Sequence, residues 1–304
     1  MLFKPLAFVW LLGDLARVVP AVERKPLWLL PNLLSLDAPL IASAWLYVFA
    51  QTWRLYLPWT VYLALALAVW VIYVADRLLD VSMLQGTPDR LEPRHLFHQQ
   101  HQKAFGIGLA VATIFSVVLV VTKMPIAIFK YLLFGGVLVA GFFGLSMISS
   151  QDSSEVAHTK NIMAGITFAF GTAVMAHLYR SEYGIYAMLV SGEFLCFAVL
   201  CILNISAINL WEHAQRSSDI EVRASDELAL TLPLVLLGTA ALAFALPDDR
   251  MSSRPFFYAI LTGSALLYIL NRIRARFSMD ALRVLADVAL LVPILVFAAA
   301  SKSQ

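Results

Sequence analysis

Two aspartates stand at a spacing that suits a divalent cation. Asp76 and Asp80 end a long apolar stretch, in the run Tyr73-Val-Ala-Asp-Arg-Leu-Leu-Asp80. Residues four apart lie on one face of a helix, so both carboxylates would point to the same side. Magnesium is held in proteins by one or two carboxylates together with waters and substrate phosphates, so the pair predicts a Mg²⁺ site for a diphosphate. The alternative is that both aspartates are solvated helix-end charges that pair with Arg77.

A second polar pair follows a later apolar stretch. Asn209 and Glu212 stand three residues apart, again on one helix face. If the two pairs face each other, they can hold separate cations and clamp one diphosphate between them. Basic residues shortly after the first pair would add charge-assisted hydrogen bonds to the phosphate oxygens. These basic residues are Arg90, Arg94 and Lys103.

Three of the six histidines lie within seven residues, at His95, His98 and His101. Several such clusters together hold the iron ions of membrane oxidases, but the other three histidines of this chain are scattered singly. The cluster therefore favours contacts to phosphate, or a helix at the membrane interface, over an oxidase centre. Membrane oxidase activity stays as the less favoured alternative.

The elements that carry these residues are predicted to be transmembrane helices. Hydrophobic residues make up 61% of the 304 residues and charged residues 14%, which excludes an ordinary soluble domain. Nine stretches approach the length of about 20 apolar residues that a bilayer requires. They are Leu33 to Thr52, Pro58 to Ala75, Ala104 to Thr122, Ile126 to Ser149, Asn161 to Tyr179, Ile185 to Ile208, Leu228 to Leu246, Pro255 to Leu270 and Ala281 to Ala299.

The remaining segments predict how the chain is oriented. Residues 1–32 form an N-terminal segment in which Leu6 to Val22 is interpreted as an amphipathic surface helix. Residues 33–304 form the nine-helix domain, and 15 of the 22 basic residues fall on the side that also carries the N-terminus. The positive-inside rule places that side in the cytoplasm and the C-terminus outside. A net charge of +2 gives no indication of nucleic-acid binding.

The number of predicted spans, the location of the polar pairs and their orientation resemble the UbiA-type prenyltransferase superfamily, from Leu34 to the C-terminus. Members of that superfamily carry an Asn-Asp-x-x-Asp-x-x-x-Asp motif after the second helix and an Asp-x-x-x-Asp motif after the sixth. Here Ile72 and Tyr73 stand where the first motif has Asn-Asp, and the second motif has only Asn209 and Glu212 as its nearest equivalents. Members of the superfamily also carry a basic pair before the fifth helix, and in this chain Lys160 alone matches that pair. The chain therefore resembles a divergent member.

The resemblance implies Mg²⁺-dependent transfer of a prenyl group from a polyprenyl diphosphate to a lipophilic acceptor, or a related ionisation and cyclisation of the prenyl group. It also implies that the reaction takes place within a nine-helix bundle in the membrane lipid. The implied catalytic residues are Asp76, Asp80 and Glu212. The implied metal ligands are Asp76, Asp80, Asn209 and Glu212. The implied contacts to the diphosphate are Asn209, Arg90, Arg94, Lys160, His95 and His98.

The alternative from another class is a non-catalytic protein of the same fold that binds an isoprenoid lipid or assists assembly. Convergence of the Asp76, Asp80 and Glu212 carboxylates on one cavity would favour the enzyme, and splayed side chains would favour the alternative.

Polar residues inside the apolar stretches are interpreted as mainly structural, because a charge at bilayer depth must face the interior of the bundle. Asp287 is expected to pair with Arg283, and His177 with Glu193. The full set of these polar residues is Asp37, His177, Glu193, Asn204 and Asp287.

Overall fold

The computed structural model of the protein describes residues 26–83, 93–149, 154–180, 183–247 and 253–302. These residues are helical, with no strand among them. The helices are α1 (Leu27–Leu33), α2 (Asp37–Thr52), α3 (Trp59–Met83), α4 (Pro93–Gln100), α5 (Gln102–Lys123), α6 (Ile128–Ser149), α7 (Ser154–His177), α8 (Ile185–Leu189), α9 (Gly192–Arg216), α10 (Ile220–Ala245), α11 (Arg254–Ile273) and α12 (Met279–Ser301). The predicted amphipathic helix Leu6 to Val22 lies outside the described residues.

Each of the nine predicted stretches overlaps one long helix of the described residues. Seven of these helices are long and apolar enough to cross a membrane. The pair α1 and α2, which meet at an angle of 81°, brings the number to eight when it is counted as one broken span. Helix α7 is not among these candidates, and its first turns carry polar residues such as Lys160 and Asn161. The protein is therefore a multi-pass helical membrane protein, and nine spans remain a prediction.

The helices extend beyond the predicted apolar stretches at the ends that carry the polar pairs. Helix α3 continues eight residues past Ala75 to Met83, and α9 continues past Ile208 to Arg216. A helix satisfies its backbone hydrogen bonds internally, so it can leave the hydrocarbon region without unwinding. The predicted stretches, which end at Ala75 and Ile208, therefore place the ends of both helices too early. All four residues of the two polar pairs lie on helices.

Helix α9 also begins later than predicted, at Gly192 rather than Ile185. The side chain of Ser191 accepts a hydrogen bond from the amide of Phe194 at 3.2 Å, which caps the helix. The preceding residues form the separate short helix α8, Ile185–Leu189.

A core of aromatic residues joins α2, α9 and α11. The ring of Trp45 stacks on Phe197 at 4.5 Å between centroids and meets the edge of Phe256 at 5.7 Å. The indole nitrogen of Trp45 donates to the carbonyl of Leu290 on α12, at 2.9 Å. Because the donor is satisfied, this tryptophan can be fully buried without a desolvation penalty.

Helices α7 and α9 pack closely against each other at Gly165. A Cβ atom built on Gly165 would lie 2.6 Å from Cγ1 of Ile202 and 2.7 Å from its backbone nitrogen. Only glycine fits here, because any side chain would enter the backbone of α9. Small residues commonly allow such close packing between membrane helices. The contact brings together the helix that carries Lys160 and the helix that carries Asn209 and Glu212.

Candidate functional site

A cavity of about 610 Å³ runs between the helices and is lined mainly by α3, α6, α7, α9 and α12, with single residues from α1, α2 and α5. The helix ends that carry the polar pairs meet at one end of it. There, the lining residues come from the C-terminal parts of α3 and α9 and the N-terminal parts of α7 and α12. The charged lining residues are Asp37, Asp76, Arg77, Asp80, Lys160, Arg283 and Asp287. We call this part of the cavity the polar end.

The predicted pair Asp76 and Asp80 lines the polar end and shares one cation. The ammonium nitrogen of Lys160 lies 3.4 Å from Oδ1 of Asp76 and 3.9 Å from Oδ1 of Asp80. The hydroxyl of Ser146 on α6 donates to the same Asp76 oxygen at 3.2 Å. Lys160 also lies over the ring of Phe142, 5.4 Å from its centroid. Both aspartates therefore contact a cation that a distant helix supplies.

Asn209 lies at the polar end as well. Its amide nitrogen donates to the side-chain oxygen of Asn161 at 2.8 Å, and both residues line the cavity. Asn161 directly follows Lys160 on α7. The hydrogen bond therefore joins the second polar pair to the helix that carries the shared cation.

Glu212 does not line the cavity, and its carboxylate binds two arginines. Its Oε1 lies 2.6 Å from Nη2 of Arg283, and its Oε2 lies 3.7 Å from Nη2 of Arg216. Arg283 is buried and lies 3.3 Å from Asp280 through Nη1. The expected convergence of Asp76, Asp80 and Glu212 on one cavity therefore holds for the two aspartates alone.

The two polar pairs differ in how well they fit a metal ion. The described residues contain no group of three or more His, Cys, Asp or Glu side chains that could hold one. Asp76 and Asp80 still fit a single Mg²⁺, because two carboxylates already share the ammonium of Lys160 and the remaining ligands can be waters and phosphate oxygens. The contacts of Glu212 do not fit a second ion, because each of its oxygens faces a guanidinium group.

The histidine segment lies on α4, beside the bundle. His98 is fully buried, stacks on Phe105 at 4.1 Å between centroids, and lies 3.5 Å from the hydroxyl of Ser35. The Nδ1 atom of His101 lies 2.9 Å from the carbonyl of Phe97. Neither histidine lines the cavity: His98 packs against residues outside α4, and His101 is exposed just after α4.

Three of the predicted phosphate contacts lie wholly or partly outside the described residues. Arg90 lies outside the described residues, and so do the side chains of Arg94 and His95. Lys103, the third basic residue predicted to follow the first polar pair, is exposed on the first turn of α5.

The structure adds two arginines to the site that sequence reasoning had interpreted otherwise. Arg77 is buried, lines the cavity and donates to the carbonyl of Asn32 at 2.5 Å. Arg283 also lines the cavity, although the sequence predicts it only as the partner of Asp287. A charged residue beside an apolar stretch is a signal for an interior or functional position, and this signal could have identified both arginines.

Asp37 and Asp287 reach the site from α2 and α12. Asp37 accepts hydrogen bonds from the Asn32 side chain at 2.7 Å and from the amide of Ala38 at 2.9 Å. These bonds hold the bend between α1 and α2. Asp287 lines both the main cavity and a smaller adjoining one of about 40 Å³.

The expected pairing of His177 with Glu193 is wrong. Glu193 accepts a hydrogen bond from the Ser253 hydroxyl at 2.7 Å. The buried ring of His177 has no hydrogen-bond partner among the described residues, and it meets the ring of Tyr131 edge-on at 5.8 Å. The side chain of Asn204 donates to the carbonyl of Ala286 at 2.8 Å, and Asn204 also lines the cavity.

Away from the polar end, the cavity becomes an apolar channel between α3, α6 and α7, which we call the apolar limb. Its lining includes Gly135 and Gly136 on α6 and Gly171 and Val174 on α7. Along α3, the lining extends from Asp80 to Ala64, which is about 24 Å at the rise of a helix. A Cβ atom at Gly136 or at Gly171 would meet nothing within 4 Å, so the space beside each glycine is open.

The cavity as a whole has the shape and polarity that suit an amphiphile with an anionic head and a long apolar tail. Its volume falls in the range of small-molecule binding sites. No protein-family model, curated protein or solved structure matches the chain.

Proposed function

We propose that this membrane protein binds a polyprenyl diphosphate in the cavity and transfers its prenyl group to a lipophilic acceptor, as the resemblance to UbiA-type prenyltransferases implies. The diphosphate would lie at the polar end and the prenyl chain in the apolar limb. One observation carries the proposal: a single cavity of about 610 Å³ joins the Asp76, Asp80 and Lys160 cluster to an apolar limb inside the helices.

The charges at the polar end favour a bound divalent cation. Four carboxylates and three basic side chains are among the described lining residues. This balance is negative by one charge and would repel a diphosphate. We assign Mg²⁺ to Asp76 and Asp80, where it would neutralise the charge that develops on the departing diphosphate. Arg77, Lys160 and Arg283 would donate charge-assisted hydrogen bonds to the phosphate oxygens.

The reaction that this arrangement serves is a substitution at the first carbon of the prenyl chain. The bond between this carbon and the diphosphate oxygen breaks, and the diphosphate keeps the electron pair. The acceptor forms a bond to the carbon and loses a proton. The rings of Tyr73, Phe142 and Phe168 line the cavity, and their π-faces would stabilise a developing allylic cation while excluding water.

The orientation in the membrane is part of the proposal. The basic residues favour a cytoplasmic polar end, with the N-terminus on the same side and the C-terminus outside. In a chain whose buried Cys196 and Cys201 are replaced by Ala, a cysteine at Ser217 would react only from the cytoplasmic side. A cysteine at the exposed Tyr56, between α2 and α3, would react only from outside. Reaction of both from one side would contradict this topology.

The rival function is binding of an isoprenoid lipid without catalysis. It is favoured by the turn of Glu212 away from the cavity and by Ile72 and Tyr73, which stand where the superfamily motif has Asn-Asp. Under this proposal the cavity would still hold a prenyl chain, and no product would form.

The test uses the purified full-length protein in lipid nanodiscs and a farnesyl thiolodiphosphate, which resists ionisation. We expect it to bind with Mg²⁺ and to lose affinity when Mg²⁺ is removed. Asp76→Asn and Asp80→Asn should each weaken binding about 100-fold, at the upper end of what lost metal support does to affinity. The control is Asp226→Asn, because Asp226 pairs with His213 and does not line the cavity.

Three outcomes separate the proposals. Binding that depends on Mg²⁺ and on both aspartates, followed by prenyl transfer from labelled farnesyl diphosphate to a lipid extract, supports the enzyme. Binding without any product from a broad set of acceptors supports the rival. Binding that is insensitive to Mg²⁺ and to both aspartates, or no binding, would contradict the proposed site.

A further inference from the structure

The carboxylate of Glu212 is already engaged by two guanidinium groups. Oε1 binds Arg283 at 2.6 Å, and Oε2 faces Arg216 at 3.7 Å. The side chain of Glu212 is 15% exposed and that of Arg283 only 6%, so the contact between them is shielded from water. Ligation of a metal by Glu212 would withdraw a carboxylate from the buried guanidinium of Arg283 and bring a second cation beside it, which is unfavourable.

Arg283 is held in place from two sides. Its Nη2 contacts Glu212 on α9, and its Nη1 lies 3.3 Å from Asp280, one turn earlier on α12. The two contacts fix the plane of the guanidinium group. Arg283 itself lines the cavity at its polar end. A guanidinium group that is fixed in this way is suited to bind phosphate oxygens, because its donors are preorganised in a planar fork.

We infer that Glu212 is a positioning residue for Arg283, and that Arg283 supplies at the second polar pair the positive charge that a second metal ion would otherwise supply. The inference rests on the proposed function, since it concerns the binding of the same diphosphate. It assigns one divalent cation to the site, at Asp76 and Asp80, and it assigns a protein cation to the opposite side.

The first measurement is the number of metal ions bound. Mn²⁺ replaces Mg²⁺ and is counted by electron paramagnetic resonance in protein saturated with farnesyl thiolodiphosphate. One Mn²⁺ per chain is expected, and it should be lost in Asp76→Asn and retained in Glu212→Gln. Two Mn²⁺ per chain, with the second lost in Glu212→Gln, would restore Glu212 as a ligand and overturn the inference while leaving the proposed function intact.

The second measurement is analogue affinity in variants of the ion pair. Arg283→Gln should weaken binding about 100-fold, and Glu212→Gln about tenfold, since Asp280 still contacts Arg283. Thermal unfolding in nanodiscs checks that each variant is folded. Matched controls are Glu227→Gln and Arg274→Gln, because these residues form an ion pair at 3.0 Å and neither lines the cavity. Both controls should bind as the unaltered protein does.

An exchange variant separates binding from structure. Glu212→Arg and Arg283→Glu, made together with Asp280→Asn and Arg216→Gln so that neither swapped charge meets one of these two like charges, keep an ion pair between α9 and α12 but replace the cavity-lining guanidinium with a carboxylate. We expect this variant to fold and to bind the analogue at least about 100-fold more weakly. Restored binding in the exchange variant, or equal losses in Arg283→Gln and Arg274→Gln, would make the pair purely structural and overturn the inference. No binding of the analogue to the unaltered protein would overturn both the inference and the proposed function.

Discussion

Helices α3 and α9 both leave the apolar region with a polar pair, yet the two pairs have different surroundings. Asp76 and Asp80 on α3 line the cavity and share the ammonium of Lys160. On α9, Asn209 lines the cavity, whereas Glu212 binds Arg283 on α12. One helix presents anions to the cavity, and the other uses its anion to hold a cation there.

Helix geometry accounts for part of this difference. Residues four apart are separated by about 40° around a helix, and residues three apart by about 60° in the opposite sense. The rotation is small enough to keep both aspartates on the cavity side of α3. On α9, the rotation between residues three apart directs Asn209 toward α7 and Glu212 toward α12. A short spacing motif therefore needs its neighbouring helices before its chemistry can be assigned.

The largest effect is expected where α7 packs against α9. Gly165→Ala would place a Cβ 2.7 Å from the backbone of Ile202, so α7 and α9 would have to separate. We expect a loss of about 3 kcal/mol in stability, at the upper end for overpacked sites, and little folded protein. Thermal unfolding measures this loss. Gly171→Ala on the same helix meets nothing within 4 Å and should be tolerated; equal effects of the two would contradict the close packing.

Removal of the shared ammonium tests the α3 pair. Lys160→Met leaves Asp76 and Asp80 without this cation, so their affinity for Mn²⁺ alone should rise about tenfold, while affinity for the diphosphate analogue falls about tenfold. Opposite changes are the signature of an ammonium that lies in the cation site. Calorimetric titration measures both affinities. If Mn²⁺ binding does not change, the two aspartates are not the cation site.

Occupancy of the apolar limb gives a smaller and more selective effect. Gly136→Leu and Gly171→Leu place a side chain in open space along the limb. Farnesyl and geranylgeranyl thiolodiphosphates should bind about tenfold more weakly. The added Leu side chain would occupy space in the apolar limb that a long prenyl chain otherwise fills, so less of the prenyl chain would be buried. The dimethylallyl analogue should bind as before. Gly144→Leu is the control, since a Cβ at Gly144 also meets nothing within 4 Å and Gly144 does not line the cavity. Loss of affinity for analogues of every chain length would argue against a prenyl chain in this limb.

The smallest effect is expected at the hydrogen bond between α7 and α9. Asn161→Ala removes the partner of Asn209, which should lower stability by about 1 kcal/mol. Analogue affinity should fall less than fivefold, because the charged groups remain. A loss as large as that of Asp76→Asn would mean that Asn161 itself binds the diphosphate.

Much of the architecture could be predicted from the sequence, because runs of apolar residues determine where helices form in a bilayer. The nine predicted stretches correspond to helices, and Asp76 and Asp80 share a face as their spacing indicates. The ends of the helices could not be predicted in this way, because hydropathy marks the hydrocarbon boundary and not the last hydrogen-bonded turn.

Partners between distant helices were decided by the tertiary structure alone. Lys160 is about 80 residues from the aspartates that it contacts, and Glu212 pairs with Arg283 at a separation of 71 residues. Local spacing contains no information on such pairs. By itself, the sequence determined which residues share a helix face. The packing of α7 and α12 against α9 decided which charged residue each face contacts. The reason is that a buried charge pairs with an opposite charge that the neighbouring helices bring within reach.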